Sequence, residues 1–313
     1  MTPLNLRNNA IRYTRDFFAA RQIIEVMTPK AVHSAGLEPY IDAVGLTAGQ
    51  STGSFYLATS PEFALKTIFA SELAANTEAR GIYEIAPVFR DDRPGKNHAL
   101  EFTMIEWYAA ETPLDQILRS AAALISELAK KTSGISLPET FEIVKISELF
   151  AAAGHAFDLS SENRTTQKYL SLHTALPQHL NPMDAAIVCF NLLFDEIVLP
   201  LLRTKDHLVA VTGFPEYLGA LAYCENGIAE RGEIFFRGLE LANGYREEWR
   251  PAVARKRWQR YNEIRALRGV NPHAIDEELL AKLADMQGVS GVALGLERVL
   301  LSLHPGADIR RFR

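Results

Sequence analysis

The chain has 313 residues, 48% of them hydrophobic and 23% charged, with a net charge of −5 from 33 basic and 38 acidic residues. This is ordinary globular composition, sufficient for one large domain or two smaller ones, and its mild acidity excludes a global attraction to nucleic acid. Cys189 and Cys224 fit no metal spacing and no disulfide scaffold, so we expect buried, reduced thiols. No apolar run reaches membrane-spanning length and the N-terminus lacks a signal-peptide pattern, which predicts a cytoplasmic protein with no membrane partner.

The first part of the chain is predicted to alternate helices with strands. Apolar spacing predicts a helix over Leu4–Ala20. A second helix is expected from Ser60, its N-cap, through Ser71, with Pro61 in the first turn. A third helix is predicted over 114–131, and strands over 23–26, 54–58, 81–90 and 102–110. A charged loop over 91–101 joins the last two strands.

The remainder reads as a mostly helical stretch over 133–207 followed by strands and helices. Strands are predicted over 207–212, 233–241 and 289–294, and helices over 246–268, over 276–286 and from Gly295. The strands are joined by hairpins and long excursions and not by regular βαβ units, which favours an α+β fold with a mainly antiparallel sheet flanked by helices. We expect a single domain over 1–313 with a helical insertion at about 111–207.

An acid cluster stands out late in the chain, formed by Glu233, Glu240, Asn243 and Glu247. Ionised carboxylates are rarely buried without partners, so the cluster predicts a metal such as Mg²⁺, a substrate amine, or both. Alternation along one strand would place Glu233 and Glu240 on opposite faces, and only a bulge or bend would bring them together. Surface acids at a strand end are the alternative.

Arg90 closes a predicted strand and faces a loop that contains Arg93 and His98. A guanidinium at a strand end can clamp a phosphate through two parallel hydrogen bonds. A surface arginine paired with Asp91 or Asp92 is the alternative. Taken alone, the segment favours the surface arginine.

Other candidates lie in the next strand and near the C-terminus. Phe102 could stack on a nucleobase or belong to the core. Glu106 and Tyr108 are two residues apart and share a strand face, where they could receive an alkylammonium or simply be solvated. The segment Gly291–Arg298 reads as a strand, a glycine turn and a helix start, from which Arg298 could reach a polyphosphate; it is not a Walker loop.

Together, these segments resemble the catalytic domain of class II aminoacyl-tRNA synthetases, the lysyl type in particular. Three segments resemble the three family motifs, and two resemble lysyl-type signatures. The motif-like segments are Ile24–Pro29, Val88–Tyr108 and Gly291–Arg298, and the signatures are Thr59–Glu62 and Glu240–Gly244.

Two features differ from an ordinary lysyl-tRNA synthetase. The motifs start almost at residue 1, which leaves no room for an N-terminal anticodon-binding domain. Ala293 stands where lysyl synthetases have glycine. In both respects the chain resembles the stand-alone paralogues that attach β-lysine to elongation factor P.

The resemblance implies an ATP-dependent ligase that uses Mg²⁺, with β-lysine or lysine as the amino acid and elongation factor P as the acceptor. It also implies a homodimer through Ile24–Pro29 and no role for tRNA. A truncated synthetase that charges tRNA and a non-catalytic amino-acid sensor are the alternatives.

The resemblance also implies roles for individual residues. Arg90 and Arg298 would be catalytic, Glu233 and Glu240 would hold Mg²⁺, and Ala99 would offer only its backbone because the family usually has asparagine there. The residues implied for ATP are Arg90, Asp91, Asp92, His98, Ala99, Phe102, Glu240, Leu241, Gly295 and Arg298. The residues implied for the amino acid are Ser60, Pro61, Glu62, Glu106, Tyr108, Asn243, Glu247 and Ala293.

Overall fold

The computed structural model describes residues 2–47, 54–75, 78–92, 95–155, 158–176 and 180–312; Arg93 of the predicted loop lies outside them. The helices are α1 (Pro3–Ala19), α2 (Glu62–Ala74), α3 (Leu114–Ser133), α4 (Ile146–Ala152), α5 (Glu162–Leu172), α6 (Pro182–Leu193), α7 (Leu199–Arg203), α8 (Pro251–Leu267), α9 (Glu277–Lys282) and α10 (Leu296–Ser302). The strands are β1 (Ile24–Glu25), β2 (Ala31–Val32), β3 (Gly45–Leu46), β4 (Phe55–Leu57), β5 (Gly81–Phe89), β6 (Glu101–Ala109), β7 (Phe141–Lys145), β8 (Leu208–Pro215), β9 (Cys224–Glu225), β10 (Ile228–Phe236), β11 (Leu239–Arg246) and β12 (Ser290–Gly295).

The main sheet has the strand order β1-β5-β6-β12-β11-β10-β8-β7, and β9 pairs with β10. Its two outermost pairs, β1 with β5 and β7 with β8, are parallel, and the other pairs are antiparallel. A small second sheet has the order β2-β4-β3. The predicted α+β fold, a mainly antiparallel sheet flanked by helices, is confirmed.

Each face of the main sheet carries its own hydrophobic core, because successive strand residues point to opposite sides. In β8, Leu208 and Ala210 join a first core with α1, α3 and α10, whereas Val209 and Val211 join a second core with α4, α6, α8 and α9. Cys189 and Cys224 are buried free thiols, as predicted. The site described below lies on the face of the second core.

The predicted strand over 233–241 is wrong, because the chain turns inside it. β10 ends at Phe236 and β11 begins at Leu239. The two residues between them, Arg237 and Gly238, have φ of 50° and 76°. Positive φ at both central positions is the geometry of a tight two-residue hairpin, which matches the twist of the flanking strands.

Two helix starts also differ from the prediction. The helix expected from residue 246 begins only at Pro251, because β11 continues to Arg246 and proline suits a first helical position. The predicted N-cap of α2, Ser60, lies one residue too early, since Pro61 holds that position. The Ser60 Oγ nevertheless accepts a hydrogen bond from the Glu62 backbone N at 2.9 Å.

The stretch over 111–207, expected as a helical insertion, is partly integrated into the main fold. Its helix α3 packs in the first core, and its strand β7 extends the main sheet beside β8. Within it, Pro182–Arg203 is long and apolar enough, by length and composition alone, to cross a membrane. The prediction that no apolar run reaches this length is therefore wrong. A π-turn over Phe194–Val198 joins α6 to α7 just before Pro200, where proline lacks a backbone N–H. In the structure 44% of this apolar window is buried, and Cys189, Phe190 and Leu193 pack in the second core.

Candidate active site

A cavity of about 370 Å³ lies over the middle strands of the main sheet. The register of these strands determines which side chains form its floor. Glu106 lies opposite Ala293, Ala293 opposite Asn243, and Asn243 opposite Glu233, so these four form one row across the sheet. All the sequence-predicted site residues line this cavity except Asp91. Asp91 is exposed, and its backbone N donates to the Asp42 carbonyl instead.

A β-bulge brings the acid cluster together, as the odd spacing required. The pairing of β10 with β11 shifts register after Ile234, which leaves Leu241 between paired residues. A bulge adds one residue to a strand and re-aims the side chains beyond it. Glu240 therefore lines the same cavity as Asn243 and Glu233.

Glu106 forms the centre of one end of the cavity. It accepts hydrogen bonds from the Tyr108 hydroxyl at 2.5 Å and from the Ser60 hydroxyl at 2.8 Å. Because Glu106 is only 3% exposed, the alternative of a solvated strand face is excluded. Burial raises the pKa of Glu106, and the nearby Glu62 carboxylate raises it further.

Glu247 is buried beside the ammonium of Lys66, which is not among the site residues predicted from the sequence. The Lys66 Nζ lies 2.5 Å from Glu247 Oε2 and 2.6 Å from Glu62 Oε1. Burial raises the pKa of Glu247 to about 8, although Lys66 opposes that rise. For Lys66 itself, burial lowers the pKa, but the two carboxylates outweigh burial and the net shift is upward.

Among the described residues, two buried acceptors in this end of the cavity have neither a hydrogen-bond donor nor an ion-pair partner. Neither Glu247 Oε1 nor Asn243 Oδ1 has a hydrogen-bond partner among the described residues. A buried polar atom left unpaired costs about 1–3 kcal/mol, so both atoms fit a ligand that brings its own N–H donors. Gly291 keeps this region open, because a Cβ there would lie 2.3 Å from Tyr108 Cε1 and 2.9 Å from Glu247 Oε1.

The other end of the cavity is basic. Arg298 Nη1 lies 3.2 Å from Glu240 Oε2, and its Nη2 lies 3.1 Å from His98 Nε2. Burial lowers the pKa of His98, and the Arg298 guanidinium lowers it further. A neutral imidazole and a partly satisfied guanidinium leave hydrogen-bonding capacity for an anion.

Arg90 completes the basic end. Its Nε donates to the Thr59 carbonyl at 3.2 Å, and its Cζ lies 5.3 Å from the Phe102 ring centroid. Among the described residues Arg90 has no ion pair with Asp91 or Asp92, so the surface-pair alternative is not observed. Phe102 is half-buried, packs on a small apolar cluster and lines the cavity.

Glu233 and Glu240 are the candidate metal ligands. The Glu233 Oε1 lies 2.7 Å from Arg231 Nη2, and burial raises the pKa of Glu233 while Arg231 opposes the rise. In the part of the chain that the structure describes, no group of three or more His, Cys, Asp or Glu side chains is placed to hold a metal. Two carboxylates still fit Mg²⁺, which commonly takes its remaining ligands from substrate phosphates and water.

Lys66 and Arg231 could have been found in the sequence. Lys66 is the single cation on the buried, otherwise apolar face of α2 and follows Glu62 by four residues, the spacing of a helical ion pair. Arg231 precedes Glu233 by two residues, so they share a strand face. The roles of the predicted site residues stay predictions, although the structure brings all but Asp91 to one cavity.

Comparison with known proteins gives relatives that extend over nearly the whole chain. An elongation factor P–(R)-β-lysine ligase from Haemophilus influenzae is 29% identical over 303 residues, covering 94% of this chain and 88% of the relative. One from Vibrio cholerae is 29% identical over 311 residues, covering 96% and 91%. A homologue of this ligase from Aquifex aeolicus is 29% identical over 301 residues, covering 95% and 94%.

The family comparison covers the entire chain. The model of class II tRNA synthetases (D, K and N) matches residues 1–313. The match agrees with the antiparallel sheet and with a cavity that carries carboxylates at one end and guanidinium groups at the other. The chain therefore belongs to the class II tRNA synthetase family of the D, K and N type.

Proposed function

We propose that the protein uses ATP to activate (R)-β-lysine, or lysine, and transfers it to a lysine ε-amine of elongation factor P. The observation that carries this proposal is the pair of unpartnered buried acceptors, Glu247 Oε1 and Asn243 Oδ1, at the acidic end of the cavity. They suit the distal ammonium of a diamino acid. The printed names of the relatives support the choice of amino acid and acceptor.

The basic end of the cavity supports ATP as the second substrate. Arg90, Arg298 and His98 would bind the phosphates, and Phe102 would stack on adenine. Glu233 and Glu240 would hold Mg²⁺, which when bound would supply positive charge to the phosphate oxygens. Ala99 offers no side-chain donor, so only its backbone could contact the nucleotide.

In the first step, a carboxylate oxygen of the amino acid attacks the α-phosphorus of ATP. The new O–P bond gives an acyl-adenylate, and the bond to the β-phosphate breaks to release pyrophosphate. Because both reactants are anions, Arg90 and Arg298 would offset their repulsion and stabilise charge that builds on the phosphate. No protein nucleophile is needed, since positioning and electrostatics carry this chemistry.

In the second step, the neutral ε-amine of the acceptor lysine attacks the adenylate carbonyl. The C–N bond of an amide forms, the C–O bond to phosphate breaks, and AMP leaves while the nitrogen loses a proton. Ser60 and Glu106 would hold the amino group near the reacting carboxylate, joined by their 2.8 Å hydrogen bond. Glu247 would hold the distal ammonium.

Two rival functions make different predictions. A truncated synthetase would charge tRNA, but the net charge of −5 gives no general attraction for it. A pure amino-acid sensor would not need Arg90 and Arg298 facing the same cavity as the carboxylates. Neither rival is favoured by a specific contact.

The test is to incubate the protein with ATP, (R)-β-lysine and elongation factor P, and to measure the mass of the factor. We expect a mass increase of one β-lysyl group that requires ATP. In parallel, lysine tRNA replaces the factor. Charged tRNA with an unmodified factor would overturn the proposal in favour of a synthetase.

We also propose that the protein is a homodimer through Ile24–Pro29. In support, β1 lies at the edge of the main sheet, and Ile24 and Met27 are 50% and 90% exposed. Large exposed apolar side chains at a sheet edge suit a partner surface. Analytical ultracentrifugation should give a dimer that Met27→Asp weakens, and a monomer at all concentrations would contradict the proposal.

A further inference from the structure

The ammonium of Lys66 is enclosed inside the acidic end of the cavity. Its side chain is completely buried, and two carboxylates, Glu62 and Glu247, contact it at 2.6 and 2.5 Å. The ring centroids of Tyr108 and Tyr245 lie 5.8 and 5.9 Å from its Nζ, within cation–π range. Lys66 is therefore a fixed cation in the wall of the site, held by oxygens and by aromatic rings.

The charges around Lys66 would not balance within the protein if every nearby carboxylate were ionised. Three buried or half-buried carboxylates, those of Glu62, Glu106 and Glu247, surround this one ammonium. When all are ionised, three negative charges minus one positive leaves a surplus of two. A ligand with two ammonium groups would neutralise that surplus, and lysine and β-lysine are such ligands.

We infer that Lys66 is a positioning residue that occupies one oxygen each of Glu62 and Glu247 and leaves the remaining acceptors for the substrate. Neither oxygen of Glu247 has a hydrogen-bond partner among the described residues, but Oε2 forms an ion pair with Lys66 at 2.5 Å and Oε1 does not. One carboxylate thus joins a permanent cation to a place for a second one. This inference rests on the proposed function, because it assigns the second cation to the amino acid.

Filling space would not require a charge at this position. The neighbours of Lys66 on the buried face of α2 are Phe63, Phe69 and Ala70, and an unbranched apolar residue would pack there. A buried ion pair is commonly no more stabilising than well-packed apolar residues of similar volume. The ammonium is explained if the carboxylates are needed for binding and must be held ionised and oriented.

The experiment compares Lys66→Ala with Lys66→Met in ATP–pyrophosphate exchange. Removing the ammonium should raise the KM for β-lysine by on the order of a hundredfold, because a buried charge pair loses a partner. Propylammonium matches the atoms deleted in Lys66→Ala and should restore binding there, whereas neutral propanol should not. In Lys66→Met the side chain fills the space, so propylammonium should have no effect.

A matched control is Lys282→Ala. Lys282 also pairs with a glutamate four residues away, Glu278 at 3.2 Å, but on the exposed surface. Its KM should be unchanged, with or without propylammonium. If Lys66→Met kept the wild-type KM, or if propanol restored Lys66→Ala as well as propylammonium does, Lys66 would be a space-filling residue and the inference would be wrong.

A second readout separates this inference from the proposed function. Absence of exchange by the wild-type protein with any diamino acid would overturn the proposed function alone. Carboxyl NMR titration would then decide the role of Lys66. Glu247 is faced by Lys66 and Glu62 from α2, by Glu106 and Tyr108 from β6, and by Tyr245 from β11. Lys66→Met should raise the carboxyl pKa of Glu247, and an unmoved titration would overturn the inference.

Discussion

At the scale of single residues, a substitution of Glu247 tests the role of the acidic end of the cavity in amino-acid binding. Glu247→Gln keeps the shape but removes the charge that we expect to pair with the distal ammonium and with Lys66. The loss of one partner from a buried charged pair costs about 3–5 kcal/mol, so amino-acid activation should fall to a useless level. ATP binding, measured by calorimetry, should remain close to that of the wild type because the basic end is unchanged.

The control for this variant is Glu230→Gln. Glu230 is half-buried on β10 and pairs with Arg246 at 3.3 Å, outside the cavity lining. Its activity should be close to that of the wild type. Normal turnover by Glu247→Gln would contradict the assignment of the ammonium site.

Ala293 tests which amino acid is preferred. Its position in β12, opposite Glu106 and Asn243, places its methyl group in the middle of the cavity floor. That methyl group would narrow the site beside the amine-bearing carbons and disfavour α-lysine. One methyl group supplies about 1–3 kcal/mol of discrimination, so Ala293→Gly should shift the ratio of kcat/KM values toward α-lysine.

Ala109→Gly is the matched control for Ala293→Gly. It makes the same change at the end of a neighbouring strand, β6, outside the cavity lining. The ratio of kcat/KM values for α-lysine and β-lysine should not change in Ala109→Gly. A ratio that is equally unchanged in Ala293→Gly would mean that the methyl group does not select the substrate.

At the scale of elements, the row of carboxylates on the sheet predicts how stability depends on pH. Burial raises the pKa of Glu106 and Glu233, and raises that of Glu247 to about 8. The folded state thus holds protons that the unfolded state releases near pH 4.5. These groups contribute most at low pH, and their contribution falls as pH rises through the folded pKa.

The window from about pH 6.5 to 8.5 isolates this effect. Burial lowers the pKa of His98, and lowers that of His273 to about 4, so these imidazoles oppose the trend only below their ordinary pKa of about 6.5. Urea unfolding of the unliganded protein should show decreasing stability across the window, with a weaker slope in Glu247→Gln. Stability that rises over this window in the wild type would contradict the account.

The helices and strands differ in how well the sequence predicts them. Periodicity was sufficient for α1, α3, β5 and β6, because long apolar patterns fix both type and face. Periodicity failed at Arg237–Gly238. Apolar residues flank this hairpin turn on both sides, so the whole segment was interpreted as one strand. The helix Pro182–Arg203 was missed as one segment because acidic residues and Pro200 interrupt it, and a π-turn keeps it continuous.

Within the candidate site, residue spacing in the sequence predicted which side chains share a face. It did not predict all of their hydrogen-bond and ion-pair partners. Glu106 and Tyr108 were expected on one face, and a hydrogen bond of 2.5 Å joins them. The bulge that aligns Glu240 with Glu233 was required by odd spacing, although its position was not predictable. Lys66 escaped because its two partners are a residue on its own helix and a residue 181 positions further along the chain, Glu247.

At the scale of the whole molecule, one cavity carries an acidic end and a basic end. Its acidic end holds the buried carboxylates of Glu106 and Glu247, and its basic end holds Arg90, which follows β5, and Arg298 of α10. By the proposed function, a diamino acid would complement the acidic end and a nucleoside triphosphate the basic end. Their reactive groups, a carboxylate and an α-phosphorus, would therefore meet between the two ends.

The most direct test of this account is ATP–pyrophosphate exchange by the wild-type protein with (R)-β-lysine, with α-lysine and with no amino acid. We predict strong exchange with (R)-β-lysine, weaker exchange with α-lysine and none without an amino acid. Exchange with α-lysine alone would point to tRNA charging or another lysine transfer. No exchange with either amino acid would contradict the central claim that this cavity activates a diamino acid.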